Sequence, residues 1–258
     1  MHRSSGGAAI VTATELADAL TLAGLSAPVS WHEVTGSTNA VAAGLADEGA
    51  PEWALVGAAH QTAGRGRLGR TWQDRAGGAV MVSIVLRPSL SPEQLGLLTL
   101  LAGAAWAEAA SEVARLEIRC KWPNDLMSGE HKVGGVLAES SMSGERVRWV
   151  VIGSGVNLVA PDVERAAGLG DIDRVRLFGT FLSRFRSGYS LPAHELPGHV
   201  RVRWSAVSAT LGRDVAALAS DGVRRHGVAV EIDEIGRLVL DTADGRIVVA
   251  ADDIEHLR

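Results

Sequence analysis

Gly64-Arg65-Gly66-Arg67-Leu68-Gly69-Arg70-Thr71-Trp72 lies between two apolar runs, residues 53–60 and 79–86, that read as buried strands. The whole segment 61–78 has neither helical nor strand periodicity and carries four arginines. A connection of that length inside a compact domain is usually functional. Alternating glycines expose backbone amides, and the arginines offer forked donors matched to carboxylates and phosphates. The run lacks the Gly-Lys-Ser/Thr of a P-loop. Arg-Gly alternation also marks RNA-binding tails, but those are long disordered repeats, and here one copy is set between strands.

Working outward, residues 14–23 predict an amphipathic helix with Leu16, Leu20 and Ala23 on one face. Residues 29–34 alternate as a strand and run into Gly36-Ser37-Thr38-Asn39, where Ser37 or Thr38 caps an Ala-rich helix ending near Asp47. Ser91-Pro92-Glu93-Gln94 is a strong helix start, and that helix extends to about Val113 with Leu95, Leu98, Ala102, Ala105, Trp106 and Ala109 facing the core. Residues 116–122 read as a strand, 133–139 and 146–152 as a hairpin turning at 140–144, and 171–187 and 200–209 as helices. From about Leu211 the texture changes to short strands, 228–232, 238–241 and 246–249, with an Asp244-Gly245 hairpin signal. The expected architecture is α+β: an extension (1–28) with one short helix, a mixed-sheet domain (29–209) and a small C-terminal β-barrel (210–258).

Composition narrows the class. The chain has 258 residues, 47% hydrophobic and 21% charged, enough to bury a core without disulfides or metals. The net charge of −5 supplies no global basic field for nucleic acid or an anionic membrane. Cys120 is the only cysteine, which excludes an internal disulfide and multi-cysteine zinc sites and fits a small core residue in a reducing compartment. The charge-free stretch at residues 95–107 has 13 residues, short for a membrane span. Residues 1–13 match a secretory leader poorly. These readings place the protein in the cytoplasm.

Of 25 basic residues only Lys121 and Lys132 are lysines, and Asn39, Asn124 and Asn157 are the only asparagines. Lys121, Asn124 and Lys132 fall within 12 residues, in Lys121-Trp122-Pro123-Asn124-Asp125 and Lys132-Val133-Gly134-Gly135. In a chain that otherwise uses arginine, a retained lysine marks a place for a point charge that a planar guanidinium cannot replace.

Taken with Ser37-Thr38-Asn39, Gln61, the glycine-arginine run and Gly153-Ser154-Gly155-Val156-Asn157, these blocks resemble the biotin protein ligases in order and spacing, over about residues 30–258. The resemblance implies a biotin/lipoate-ligase catalytic domain followed by an SH3-type barrel. It implies that biotin and Mg-ATP give biotinyl-5′-AMP, from which a lysine of a biotin carboxyl carrier domain takes the biotinyl group. By resemblance, Ser37, Thr38, Asn39 and Gln61 bind the ureido ring, with Gly64, Arg65, Gly66, Arg67, Lys132 and Gly135 completing the biotin site. Arg67, Arg70, Trp72, Asn124, Lys132 and Asn157 take the nucleotide. Lys132, Arg67 and Asp125 are the catalytic set, and Asp125 either positions Mg²⁺ or orients the acceptor amine. The short stretch before the first matched strand places the chain with the monofunctional class, without DNA binding, as monomer or homodimer. The rival readings are a lipoate-type ligase of the same superfamily and an Arg-Gly nucleic-acid binder.

Overall fold

A computed structural model describes residues 12–218, 223–249 and 254–256. The chain runs α1 (Ala13–Leu22), β1 (Val29–Thr35), α2 (Thr38–Asp47), β2 (Leu55–Gln61), β3 (Ala79–Leu86) and α3 (Leu95–Ala114). It continues with β4 (Arg119–Lys121), β5 (Asp125–Ser128), β6 (His131–Ser143), β7 (Arg146–Asn157), α4 (Arg174–Tyr189) and α5 (Leu196–Ala206). Then come β8 (Asp214–Leu218), β9 (Arg224–Ile232), β10 (Leu238–Thr242), β11 (Gly245–Val249) and β12 (Ile254–His256). The first seven strands form one sheet in the order β1-β2-β3-β7-β6-β5-β4. β1 and β2 are parallel and the other neighbours antiparallel, so the sheet is mixed, as expected.

β3 is buried along its whole length because it is covered on both faces. Val80, Val82, Ile84 and Leu86 point into the large core beneath α3, while Val85 packs with Val56, Val151, Ala42 and Ala46 under α2. Period two therefore turns Met81 and Ser83 toward α2 as well. On β7 the same alternation sends Val151, Gly153 and Gly155 to that face.

α3 begins after a single 3₁₀ turn, Pro92–Gln94, closed by the reciprocal Ser91–Gln94 capping box. It is buried nearly all round rather than on one stripe, because the sheet covers one side and α4 and α5 the other. Trp106 stacks on Phe181 with ring centroids 4.1 Å apart. Counted with its first turn, Pro92–Ala114 is long and apolar enough to cross a membrane, well beyond the charge-free run of 13 residues. Its place at the centre of the core accounts for that composition.

Several boundaries depart from the sequence reading. The strand expected at 116–122 shrinks to β4, because Trp122-Pro123 is a cis peptide in the turn that folds β5 back with Lys121 opposite Asp125. The β6–β7 hairpin turns at Gly144 rather than across 140–144, since Ser140–Ser143 continue pairing, through one bulge, with Val150–Arg146. α4 starts at Arg174 because the Asp173 carboxylate accepts the Arg176 amide at 2.9 Å. α5 begins early, with a proline in its first turn. Ser37 occupies the N-cap of α2 but makes no capping hydrogen bond. The reading of residues 1–13 as unlike a leader falls almost wholly outside the described residues.

β8 to β12 form a second, antiparallel sheet in the order β11-β10-β9-β8-β12. Its β9–β10 turn is tightened by the Asp233 carboxylate, which accepts the Ile235 and Arg237 amides at 3.1 and 2.8 Å. Gly236, at φ +85°, presents its carbonyl to the Trp122 indole N–H at 3.0 Å. The second sheet is thereby fastened to the β4–β5 turn.

Candidate functional site

A cavity of about 230 Å³ opens where the N-terminus of α2, the end of β2, the glycine-arginine segment, the β4–β5 turn and the middle of β7 meet. Its floor is neutral and polar. The Gln61 side-chain oxygen accepts the Thr38 backbone amide at 2.7 Å and the Thr38 hydroxyl at 3.1 Å. Gln61 thus satisfies a helix-end donor that a capping side chain would otherwise take. The Ser83 hydroxyl lies 2.8 Å from Thr38 Oγ1 and 2.6 Å from Asn39 Oδ1. Asn39 fits because β7 has no side chain beneath it: a Cβ on Gly153 would stand 1.9 Å from Asn39 Oδ1. Gly153→Ala should therefore displace Asn39 and destabilise the fold by about 1–3 kcal/mol. Thermal melting checks this, and an unchanged melting temperature would contradict it.

The glycine-arginine segment is a small hairpin. Trp72 N–H donates to Gly64 at 2.9 Å, Gly66 N–H to Arg70 at 2.7 Å, and Arg70 N–H to Arg67 at 3.1 Å. Leu68 and Gly69 turn its tip with φ of +55° and +74°. Gly64 allows the closure, since a Cβ there would come within 2.8 Å of the Trp72 carbonyl. The hairpin delivers the Trp72 indole onto bare backbone at Gly155, where a Cβ would lie 2.6 Å from the ring. Arg65 reaches back to Glu139 on β6, with Nη1 2.9 Å from Oε1.

On the opposite wall Lys132 Nζ lies 2.5 Å from Asp125 Oδ1. The Lys132 backbone is pinned on both sides, its N–H donating to Arg165 at 2.7 Å and its carbonyl accepting Ala167 at 2.9 Å. Gly135 leaves space beside the ammonium, a Cβ there falling 3.6 Å from Nζ. The Asn124 side chain donates to Val136 at 2.8 Å, which holds the turn against β6.

Ser37, Thr38, Asn39, Gln61, Arg65, Gly66, Arg67, Arg70, Trp72, Asn124, Asp125, Lys132 and Gly135 all line this cavity, although they come from residues 37 to 135 of the chain. Gly64 and Asn157 do not. Gly64 is at the hairpin base, and Asn157 is buried with its amide donating to Ala167 at 3.2 Å. Among the described residues the lining carries five cationic side chains, Arg65, Arg67, Arg70, Lys121 and Lys132, against one carboxylate, Asp125. Three buried polar atoms nearby, Trp72 Nε1, Ser154 Oγ and Asn157 Oδ1, have no partner among the described residues, which is costly unless a ligand or water supplies one. Burial, with the Glu108 charge adding to it, pushes the Cys120 thiol far above its usual range, so it is no nucleophile. Among the described residues no group of three or more His, Cys, Asp or Glu could hold a metal ion.

Ser83, Glu139 and Ile254 join the site without having been singled out, and Gly153 and Gly155 join it from the 153–157 block, which carried no role for them. Ser83 left a signal, as the one polar residue in an otherwise apolar buried strand. Ile254, from β12, left none, because it reaches the cavity only through the folding of the second sheet.

Known proteins share both sequence and architecture. The model of the Biotin/lipoate A/B protein ligase family matches residues 31–157. The bifunctional ligase/repressor BirA of Bacillus subtilis is 33% identical over 87% of this chain and 73% of its own length. The biotin--[acetyl-CoA-carboxylase] ligase of Mycobacterium tuberculosis is 34% identical over 91% of this chain and 92% of its own. The biotin protein ligase of Aquifex aeolicus, solved with biotin and ATP, superposes with a TM-score of 0.71 at 24% identity, covering 89% of this chain and 99% of that one. The chain belongs to the biotin/lipoate A/B protein ligase family. The relatives it matches within that family are the biotin ligases.

Proposed function

We propose that the protein is a biotin–protein ligase: it joins biotin to ATP as biotinyl-5′-AMP and passes the biotinyl group to a lysine of a biotin carboxyl carrier domain. The observation that carries this reading is the polarity of the cavity. Its floor offers neutral donors and acceptors (Ser37, Thr38, Gln61), and the rest of its lining adds the cations Lys121, Lys132 and the hairpin arginines. A ligand with a buried urea and an anionic tail needs both.

In the first step a carboxylate oxygen of biotin attacks the α-phosphorus, and the bond to the β-phosphate breaks to release diphosphate. Lys132 is the ammonium nearest the developing charge, with Arg65 on the carboxylate and Arg67 and Arg70 on the phosphates. Trp72 receives the nucleotide base, which would satisfy one of the orphaned polar atoms, while Asn157 stays buried behind the lining with its amide on Ala167. In the second step the acceptor amine attacks the mixed anhydride carbonyl, AMP leaves and the amine loses a proton. Mg²⁺ enters with the nucleotide phosphates rather than in a resident cage, as a single cavity carboxylate among the described residues fits. Because Lys132 already holds Asp125, orienting the lysine and the acceptor amine suits Asp125 better than ligating the metal.

Biotin-dependent exchange of pyrophosphate into ATP tests the reading. Exchange with lipoate instead of biotin would select the lipoate-type alternative, and no exchange would overturn both. We propose further that residues 29–209 and 210–258 are the catalytic and SH3-type barrel domains, and that the enzyme acts in the cytoplasm as a monomer or homodimer. α1 buries Leu16, Ala19 and Leu20 in the core against α4, so it is unavailable as a DNA-reading helix. The chain should accordingly show no sequence-specific shift of duplex DNA at moderate salt, with or without biotin and ATP. A shift surviving competitor DNA would refute this.

A further inference from the structure

We infer that Glu139 is a positioning residue that sets the closed position of the arginine hairpin, an inference that rests on the biotin-and-ATP reading of the cavity. Its carboxylate serves two masters on two elements. Oε1 takes Arg65 Nη1 at 2.9 Å, and Oε2 takes Asn39 Nδ2 at 2.6 Å. Asn39 is only 4% exposed and is fixed from three further directions. Its amide also faces the Leu137 carbonyl at 3.3 Å, its oxygen accepts Ser83 at 2.6 Å, and Gly153 leaves no slack beneath it. Both amide hydrogens of Asn39 are thus engaged inside the protein. In this arrangement Asn39 acts on the ligand through Glu139 and Ser83 rather than by donating to a ureido ring itself.

The pair is asymmetric. Glu139 belongs to β6, paired opposite Val151 in the middle of the sheet, and is locked by a buried amide. Arg65 belongs to a connection and its side chain is 45% exposed. The anchored partner dictates where the other one rests. A continuous chain of contacts, Thr38–Ser83–Asn39–Glu139–Arg65, then runs from the pocket floor to the hairpin. Occupation of the floor and the pose of Arg65 are mechanically linked through it.

Only a carboxylate accepts from both donors at once. In Glu139→Gln the amide oxygen can serve one, and the costlier buried donor, Asn39, keeps it, so Arg65 faces an N–H group and is released. Hydrogen exchange of residues 64–72 in the unliganded protein should then quicken about tenfold, while the melting temperature stays near wild type. KM for biotin should rise about tenfold with kcat changed less than about twofold, as befits a contact made in ground and transition state alike. In an Arg65→Gln background, Glu139→Gln should add nothing to hairpin exchange, because the partner is already gone.

Unchanged hairpin exchange in Glu139→Gln overturns the inference. So do additive effects in the double variant, or a parallel loss of kcat, biotin affinity and melting temperature, which would mark a mere strut. The exchange experiment uses no ligand. Failure of wild-type pyrophosphate exchange would therefore sink the biotin reading alone and leave this coupling to stand or fall by its own result.

Discussion

Replacing Lys132 with arginine should slow adenylate formation about a hundredfold or more, a loss comparable to removing one preorganised donor at a developing charge. Charge is kept, so the argument is geometric. The Lys132 ammonium is a point donor 2.5 Å from Asp125, on a backbone pinned by Arg165 and Ala167, with its side chain packed beside Gly135. A guanidinium there would pair its planar fork with the Asp125 carboxylate and spread its charge away from the α-phosphate. Biotin binding should weaken far less, because Thr38, Gln61 and Ser83 hold their own network on the other wall. Pyrophosphate exchange and direct biotin titration separate the two effects. Near-normal exchange would remove Lys132 from the centre of the mechanism.

What could be read in the sequence depended on whether the signal was local. β3 announced itself to the residue, since a strand covered on both faces needs an unbroken apolar run. Lys121, Asn124 and Lys132 are close in the chain, and the rarity of lysine and asparagine in an arginine-rich background picked them out. The β4–β5 turn was misread because Trp122-Pro123 bends the chain where alternation suggested one longer strand. The α2 N-cap falls at Ser37 as read, but the acceptor for the first helical amide comes from longer range, from the side chain of Gln61, 23 residues away. In the sequence Glu139 is only the last residue of the first predicted hairpin strand, 133–139. Its importance exists only once β6 stands opposite both α2 and the hairpin, a relation no window of sequence contains. Ile254 is the extreme case, a core residue of the second sheet that also walls the first domain's cavity.

Arg67→Gly should leave adenylate formation largely intact and instead let the adenylate escape. Arg67 stands at the hairpin tip, where its carbonyl accepts the Arg70 amide at 3.1 Å and Leu68 and Gly69 take left-handed backbone angles. Its side chain borders both the main cavity and an apolar cleft of about 280 Å³ walled by Leu100, Trp122, Pro123 and Ile235. Removing it merges the two spaces, and the added glycine raises the entropy that closing the hairpin must overcome. Lys132 and Asp125 lie on strands of the other wall and keep their contact, so the chemistry of the first step survives. A mixed anhydride reacts with any accessible amine, and a site that no longer excludes water and bystanders no longer chooses its acceptor. Biotin should appear on lysines of an unrelated protein at least about tenfold above wild type, a gain matching the loss of a single charge-assisted contact at the lid. Blotting for biotin on a mixture of carrier domain and bystander measures it. Labelling confined to the carrier domain would show that the hairpin tip does not retain the adenylate.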